Sequence, residues 1–369
     1  MRQLHLFFPE NDLALAMNIA GYTPPPAATR LRRAGQTLGL WYGDAGDEVF
    51  DQGIDGRWYE TIRSRYGLRT ELFAGSPAGL TPAPWGWSKA SRLFLERIGF
   101  PKDMLPDDAA LDRIRELSHR RTAAMIGDAL ARTLPYKVAS PAVELDSADS
   151  VRTFVEKAGH AVLKLPWSSS GRGLLFATPA DVERMTPQIE GVIRRQGSIM
   201  GEKRYRRKLD FAMLFTMENG RCTFDGLSLF GTDANGAYTG NVLAPQAELA
   251  SAIERETPPL APVAEALAPI LEEIIGKDYD GPLGIDMMAV DDGDVRLAPA
   301  VELNLRMTMG HVARLFYERH VAEGRQGMFE VVTEGAGEDT ASLIGTKISA
   351  GVLSLSAPRS PFSFRVRIQ

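Results

Sequence analysis

Polar and apolar positions change rhythm about a third of the way along the chain. Leu4 to Phe8 is a short apolar run ended by Pro9-Glu10-Asn11-Asp12, which predicts a first strand and a loop, with a helix over Leu13 to Ile19. In such a unit Asn11 or Asp12 serves as helix cap, or faces a ligand at the carboxyl end of the strand. Thr23-Pro24-Pro25-Pro26 is a stiff connector, Ala27 to Ala34 a basic helix, and Leu38 to Tyr42 a second strand. Gly75 to Trp87 reads as loop. Ser88 caps a helix over Lys89 to Ile98, closed by Gly99. Asp107 to Arg132 is helical in two pieces.

From Tyr136 short strands and helices alternate. Ser147 caps Ala148 to Ala158, and Gly159 ends that helix. Ala161 to Leu165 is a buried strand. Thr178-Pro179 opens another helix, which Pro187 interrupts and Gly197 stops. Further on the pattern turns antiparallel. Asp210 to Met217 and Arg221 to Phe230 flank Asn219-Gly220, a strong hairpin signal. Ile285 to Val290 and Val295 to Leu305 form a second hairpin around Asp291 to Asp294. Leu260 to Ile275 is a helix in spite of Pro262 and Pro269. Pro299 cannot donate to a ladder, so it predicts a sheet edge or a bulge just before Glu302.

Composition narrows the class. The chain has 369 residues, 44% hydrophobic and 24% charged, with a net charge of −5. That is ordinary for a globular protein of two or three domains, and leaves no general basic surface for nucleic acid or an anionic membrane. The single cysteine, Cys222, has no internal partner for a disulfide. The first twenty residues lack a basic start and a long apolar core, and no apolar run is long enough to span a bilayer. A cytoplasmic location is expected.

The candidate chemistry gathers at two places. Lys164 puts a charge at the end of the buried strand, where an ammonium is costly unless it meets an anion. Ser168, Ser169 and Ser170 follow, then Gly171, Arg172 and Gly173. Hydroxyl donors and glycines that let backbone N–H groups approach a ligand are phosphate-binding chemistry, although no G-x-x-x-x-G-K-[ST] motif occurs. On the second hairpin, Glu302, Asn304 and Arg306 are two apart and share a strand face. Asp286 is brought beside them by the pairing, while Ile285, Met287, Leu303 and Leu305 fill the other face. Two carboxylates and an amide oxygen suit Mg²⁺, and a planar guanidinium suits a carboxylate or phosphate. Between the two places, Glu202, Tyr205 and Asp210 lie on a segment able to bond a nucleobase and ribose. For each group a solvated polar surface is the plainer alternative.

In this order the strand lysine with its Ser/Gly loop, the Glu202 segment, Gly284-Ile285-Asp286-Met287-Met288 and Glu302-Leu303-Asn304-Leu305-Arg306 resemble the ATP-grasp superfamily, over roughly Leu117 to Arg325. The resemblance implies an α/β and α+β chain. A Rossmann-like α/β domain would fill residues 1–115. Two α+β subdomains clasping ATP would follow, over 116–205 and over 206–369 with a C-terminal extension. Lys164 would then contact the phosphates, and Ser168, Ser169, Ser170, Gly171 and Gly173 would close over them. Glu202 and Tyr205 would flank the adenine, and Asp210 would take the ribose. Asp286, Glu302 and Asn304 would hold one or two Mg²⁺ ions, with Mn²⁺ as a substitute. Arg306 would stabilise an acyl-phosphate or the acceptor carboxylate.

The sequence also departs from the pattern. The family commonly has a second phosphate-contacting lysine before the grasp domain, where this chain has Ser118-His119-Arg120-Arg121-Thr122; either arginine or His119 is a substitute, or the contact is lost. The ribose residue is usually glutamate. Pro9 to Ala16 and Pro166 to Gly173 also resemble a bacterial group, a match that names no substrate. The implied activity is an ATP-dependent carboxylate–amine ligase forming ADP and phosphate. A small-molecule kinase and a nucleotide-binding module without turnover are the alternatives. Partners would be a small carboxylate and an amine, with no nucleic acid or membrane; a homodimer is common for such folds. Substrate contacts are sought among Asn11, Arg121, Arg172, Tyr238 and Asn241.

Overall fold

The computed structural model describes residues 2–168, 173–233, 237–333, 339–360 and 362–369. It divides into two compact units, one of Met1–Asp112, Thr239–Leu249 and Arg306–Gln369, the other of Arg113–Tyr238 and Ala250–Leu305.

The first unit is built on four parallel strands in the order Glu71–Leu72, Glu48–Val49, Arg2–Leu6 and Leu80–Pro84. Two prolines are tolerated in Leu80–Pro84 because it is an edge strand. Leu4 and Leu6 join Trp41, Tyr66, Phe316, Phe329 and Phe364 in one core. That core also receives antiparallel strands Gly327–Val332, Lys347–Ser354 and Ser363–Ile368. Ser88 caps the helix Lys89–Arg97 through a reciprocal bond with Ser91, as its sequence predicts. The run from Leu38 to Tyr42 is not a strand. Gly39–Tyr42 is a single helical turn with all four residues buried; a short apolar run fits either element, and here packing decides. Neither Asn11 nor Asp12 caps the first helix, Asn11–Met17. Its N-cap is Glu10, with no side-chain cap bond.

In the second unit the lysine strand Ala161–Lys164 is interior to an antiparallel sheet, ordered Val143–Leu145, Ile199–Lys203, Ala161–Lys164 and Leu174–Ala177. Helices Ala148–Ala158 and Val182–Gln196 cover it with Val151, Val155, Ile189 and Val192. The latter helix starts three residues after Pro179, because Asp181 accepts the Thr178 hydroxyl at 2.7 Å and holds a turn ahead of it. It also runs through Pro187 to Gln196. The buried face on both sides outweighs the roughly 3 kcal/mol that an interior proline costs. Four further strands of this unit pair antiparallel in the order Val295–Asn304, Gly281–Asp292, Arg206–Glu218 and Arg221–Thr232. Asn219 and Gly220 both take positive φ, 51° and 75°, as a two-residue hairpin turn requires. Val295–Asn304 is the edge strand, and its register jumps from Ala298 to Glu302 while its neighbour advances from Met288 to Asp286. Pro299 therefore sits on an edge and in a bulge together. Among the described residues no helix is long and apolar enough to cross a membrane.

Candidate functional site

Lys164 ends an interior strand whose four residues are all buried, and its own side chain is 7% exposed. Glu202 stands on the adjacent strand, paired across from Val162. The diagonal brings the Lys164 Nζ to 2.5 Å from the Glu202 Oε1, so the buried ammonium has its counter-charge. After the strand, the Leu165 N–H donates to the Gly173 carbonyl at 3.0 Å. Gly173 takes φ +78°, and a Cβ there would lie 3.0 Å from the Ser168 Cβ. Ser168 and Gly173 thus pin the two ends of the Ser/Gly loop; Ser169, Ser170, Gly171 and Arg172 lie outside the described residues.

On the hairpin, Asp286 is directly opposite Glu302, and Gly284 is opposite Asn304. Ile285, Met287, Leu303 and Leu305 are buried, as the alternation requires, and so is Asn304. The strand stops at Asn304. Arg306 does not continue that face; it bridges Gly86 and grips Asp12 in the first unit. Among the described residues no three of His, Cys, Asp and Glu gather as a metal cluster. The oxygens of Asp286, Glu302 and Asn304 are hard donors, the kind that would suit Mg²⁺.

In sequence Arg120, Arg121 and His119 are equivalent candidates; in the structure they part. Arg120 is buried. Its Nε donates to the Leu165 carbonyl at 3.0 Å, and its Nη2 lies 3.2 Å from the Ser168 Oγ and 3.0 Å from the Glu302 Oε1. One guanidinium thus joins the end of the lysine strand, the loop and the acidic hairpin. Arg121 points away, half exposed, 3.6 Å from Glu144. His119 caps the helix Arg120–Thr133, its Nδ1 accepting the Arg121 N–H at 3.0 Å. Burial, helped by the Arg121 charge, holds its pKa down at about 4. A sequence signal for Arg120 exists: it is in phase with Ala123, Gly127 and Leu130, all buried, whereas Arg121 falls with exposed Met125, Asp128 and Arg132.

Glu202 and Tyr205 share a hollow with Met288, Pro141 and Pro299, about 350 Å³ with its open side included. The Tyr205 hydroxyl accepts the Ser140 N–H at 3.1 Å. Asp210 lies across from Met288 in register and accepts from Thr232 at 2.6 Å and from Arg207 at 3.0 Å. Of the substrate candidates, Tyr238 is 6.4 Å from the Phe230 ring in this unit, its hydroxyl pKa pushed well up by burial. Asn11 and Asn241 belong to the first unit and are 2% and 1% exposed. Asn11 lies beside Glu10, which pairs with Arg32; burial lowers that guanidinium to about 10.

The chain has the fold of ATP-grasp structures, with a small parallel sheet in one unit and the lysine-bearing and hairpin strands in the other. It is similar over its full length to solved structures, among them the following two. One is the biotin carboxylase–β,γ-ATP complex of Campylobacter jejuni, at 12% identity and TM-score 0.54, with 88% of that chain covered. The other is the biotin carboxylase domain of the Hydrogenobacter thermophilus 2-oxoglutarate carboxylase with MgADP, ADP and bicarbonate, at 12% identity and TM-score 0.50, with 86% covered. No family model matches the chain. No curated protein matches it either.

Proposed function

We propose that the chain is an ATP- and magnesium-dependent ligase that activates a carboxylate and joins it to an amine. The observation that supports this reading is the convergence of the Leu165 carbonyl, Ser168 and Glu302 on the single guanidinium of Arg120. Lys164 and the loop hold the phosphates, and the hollow between Tyr205 and Met288 takes the base, with Asp210 on the ribose. Asp286, Glu302 and Asn304 hold the metal, which when bound neutralises phosphate charge. A carboxylate oxygen attacks the γ-phosphorus, the bond to the β–γ bridging oxygen breaks, and ADP leaves. An amine then attacks the acyl carbon, phosphate departs with the bonding pair, and the amine loses a proton. The chain's share is positioning and charge neutralisation; no side-chain nucleophile is needed.

The test is ADP release from wild type, Lys164→Ala and Glu302→Ala across pooled carboxylates and amines. Both variants are expected to lose turnover at least a hundredfold. Normal turnover in both removes the assignment, and a phosphorylated acceptor that persists makes the chain a kinase.

A further inference from the structure

We propose that Arg120 is a built-in counter-cation which Glu302 exchanges for the divalent metal, so that nucleotide phosphates must draw Arg120 away before the metal site is complete. The inference rests on the nucleotide reading above and concerns the order in which the two ligands enter.

The hairpin creates the need. Asp286 and Glu302 face each other directly on neighbouring strands, and like charges so placed repel. Glu302 is 26% exposed on its side chain and Arg120 is 9% exposed, so water screens the pair poorly. The Arg120 guanidinium at 3.0 Å relieves this repulsion. A metal on the Glu302 carboxylate would stand close to this guanidinium, and two cations held on one poorly screened carboxylate repel each other, so each weakens the other's hold.

Arg120 is also held where an anion could take it over. Among the described residues its other side-chain hydrogen bonds go to neutral groups, the Leu165 carbonyl and the Ser168 hydroxyl at the root of the Ser/Gly loop. Phosphate oxygens offer the planar fork a stronger charge-assisted partner than either. His119 fixes the start of the helix one residue earlier, which leaves the Arg120 backbone in place with its N–H on the Pro166 carbonyl at 3.2 Å. Only the side chain has to move. Arg121, on the exposed face and near Glu144, is not placed to do this.

The exchange predicts opposite effects from one substitution. Mn²⁺ is titrated into wild type and Arg120→Gln without nucleotide, followed by electron paramagnetic resonance. ATP is titrated into both in excess EDTA by calorimetry. Arg120→Gln is expected to bind Mn²⁺ at least tenfold more tightly and metal-free ATP at least tenfold more weakly. Adding Glu302→Gln to Arg120→Gln is expected to abolish the Mn²⁺ gain. Affinities that move in the same direction, or that do not move, overturn the proposal; a purely structural arginine would weaken both. Should circular dichroism show Arg120→Gln unfolded, Arg120→Lys is expected to bind Mn²⁺ more tightly and metal-free ATP more weakly than wild type, and equality with wild type in both titrations overturns it. Wild type that binds neither ATP nor MgATP removes the nucleotide reading instead, and the Mn²⁺ arm still decides whether Arg120 and the metal compete.

Discussion

The Arg306 guanidinium closes a fork on the Asp12 carboxylate, with Nε 3.0 Å from Oδ1 and Nη2 2.7 Å from Oδ2. Both side chains are more than four-fifths buried. Lysine cannot reproduce a two-oxygen fork. Arg306→Lys is expected to lower stability by roughly 1.5–3 kcal/mol, the range for hydrogen bonds to charged groups, read from urea unfolding. Asp12→Asn should do likewise, and the double variant should lose less than the sum. Additive losses would mean that the fork contributes nothing as a pair.

Lys164 and Glu202 form the second buried pair. Glu202→Gln strands an ammonium and is expected to destabilise the second unit by about 3–5 kcal/mol. Lys164→Met with Glu202→Gln should recover much of that loss in chemical denaturation while leaving ATP binding abolished. A double variant as unstable as Glu202→Gln alone would show that the ion pair is not the cause.

Two buried histidines make stability depend on pH. His119 and His320 are held at about 4, each chiefly by burial. The unfolded chain therefore binds more protons between pH 4 and the ordinary histidine value near 6.5, and stability rises with pH across that window. Above about 6.5 their contribution is complete; as pH falls toward 4 it is lost. Thermal melts of His119→Gln and His320→Gln should show a shallower slope from pH 4 to 6.5 than wild type, and an unchanged slope in both would refute this.

Gly201 precedes Glu202 on its strand, and a Cβ there would lie 2.8 Å from Leu145 Cδ1 and 2.9 Å from Phe154 Cδ1. Gly201→Ala should cost about 1–3 kcal/mol through overpacking. It should also weaken ATP binding by displacing Glu202 from Lys164. Calorimetric melting and ATP titration check the two effects separately.

Local chemistry made much of the chain legible. Ser88 and Ser147 announce helices because a serine cap bonds within three residues, and Asn219-Gly220 announces a hairpin because both positions require positive φ. Pro299 announced its bulge by the ladder bond it cannot make. What failed was decided at a distance. Leu38 to Tyr42 has no periodicity to separate strand from helix, and its buried turn is set by the surrounding core. Pro187 stays helical because Val182, Ile189 and Val192 are buried around it. Arg306 left its expected face because Asp12, 294 residues earlier, supplies its partner. Arg120 was hidden among neighbours of equal charge, and only the buried side of its helix marks it out.

Because two extra residues are accommodated between Ala298 and Glu302, the edge strand keeps even parity with its neighbour. Shortening residues 299–301 by one would turn Glu302 and Asn304 to the opposite side of the sheet, whereas shortening by two would return them. Length variation in this strand is therefore confined to steps of two wherever the acidic pair must keep its orientation.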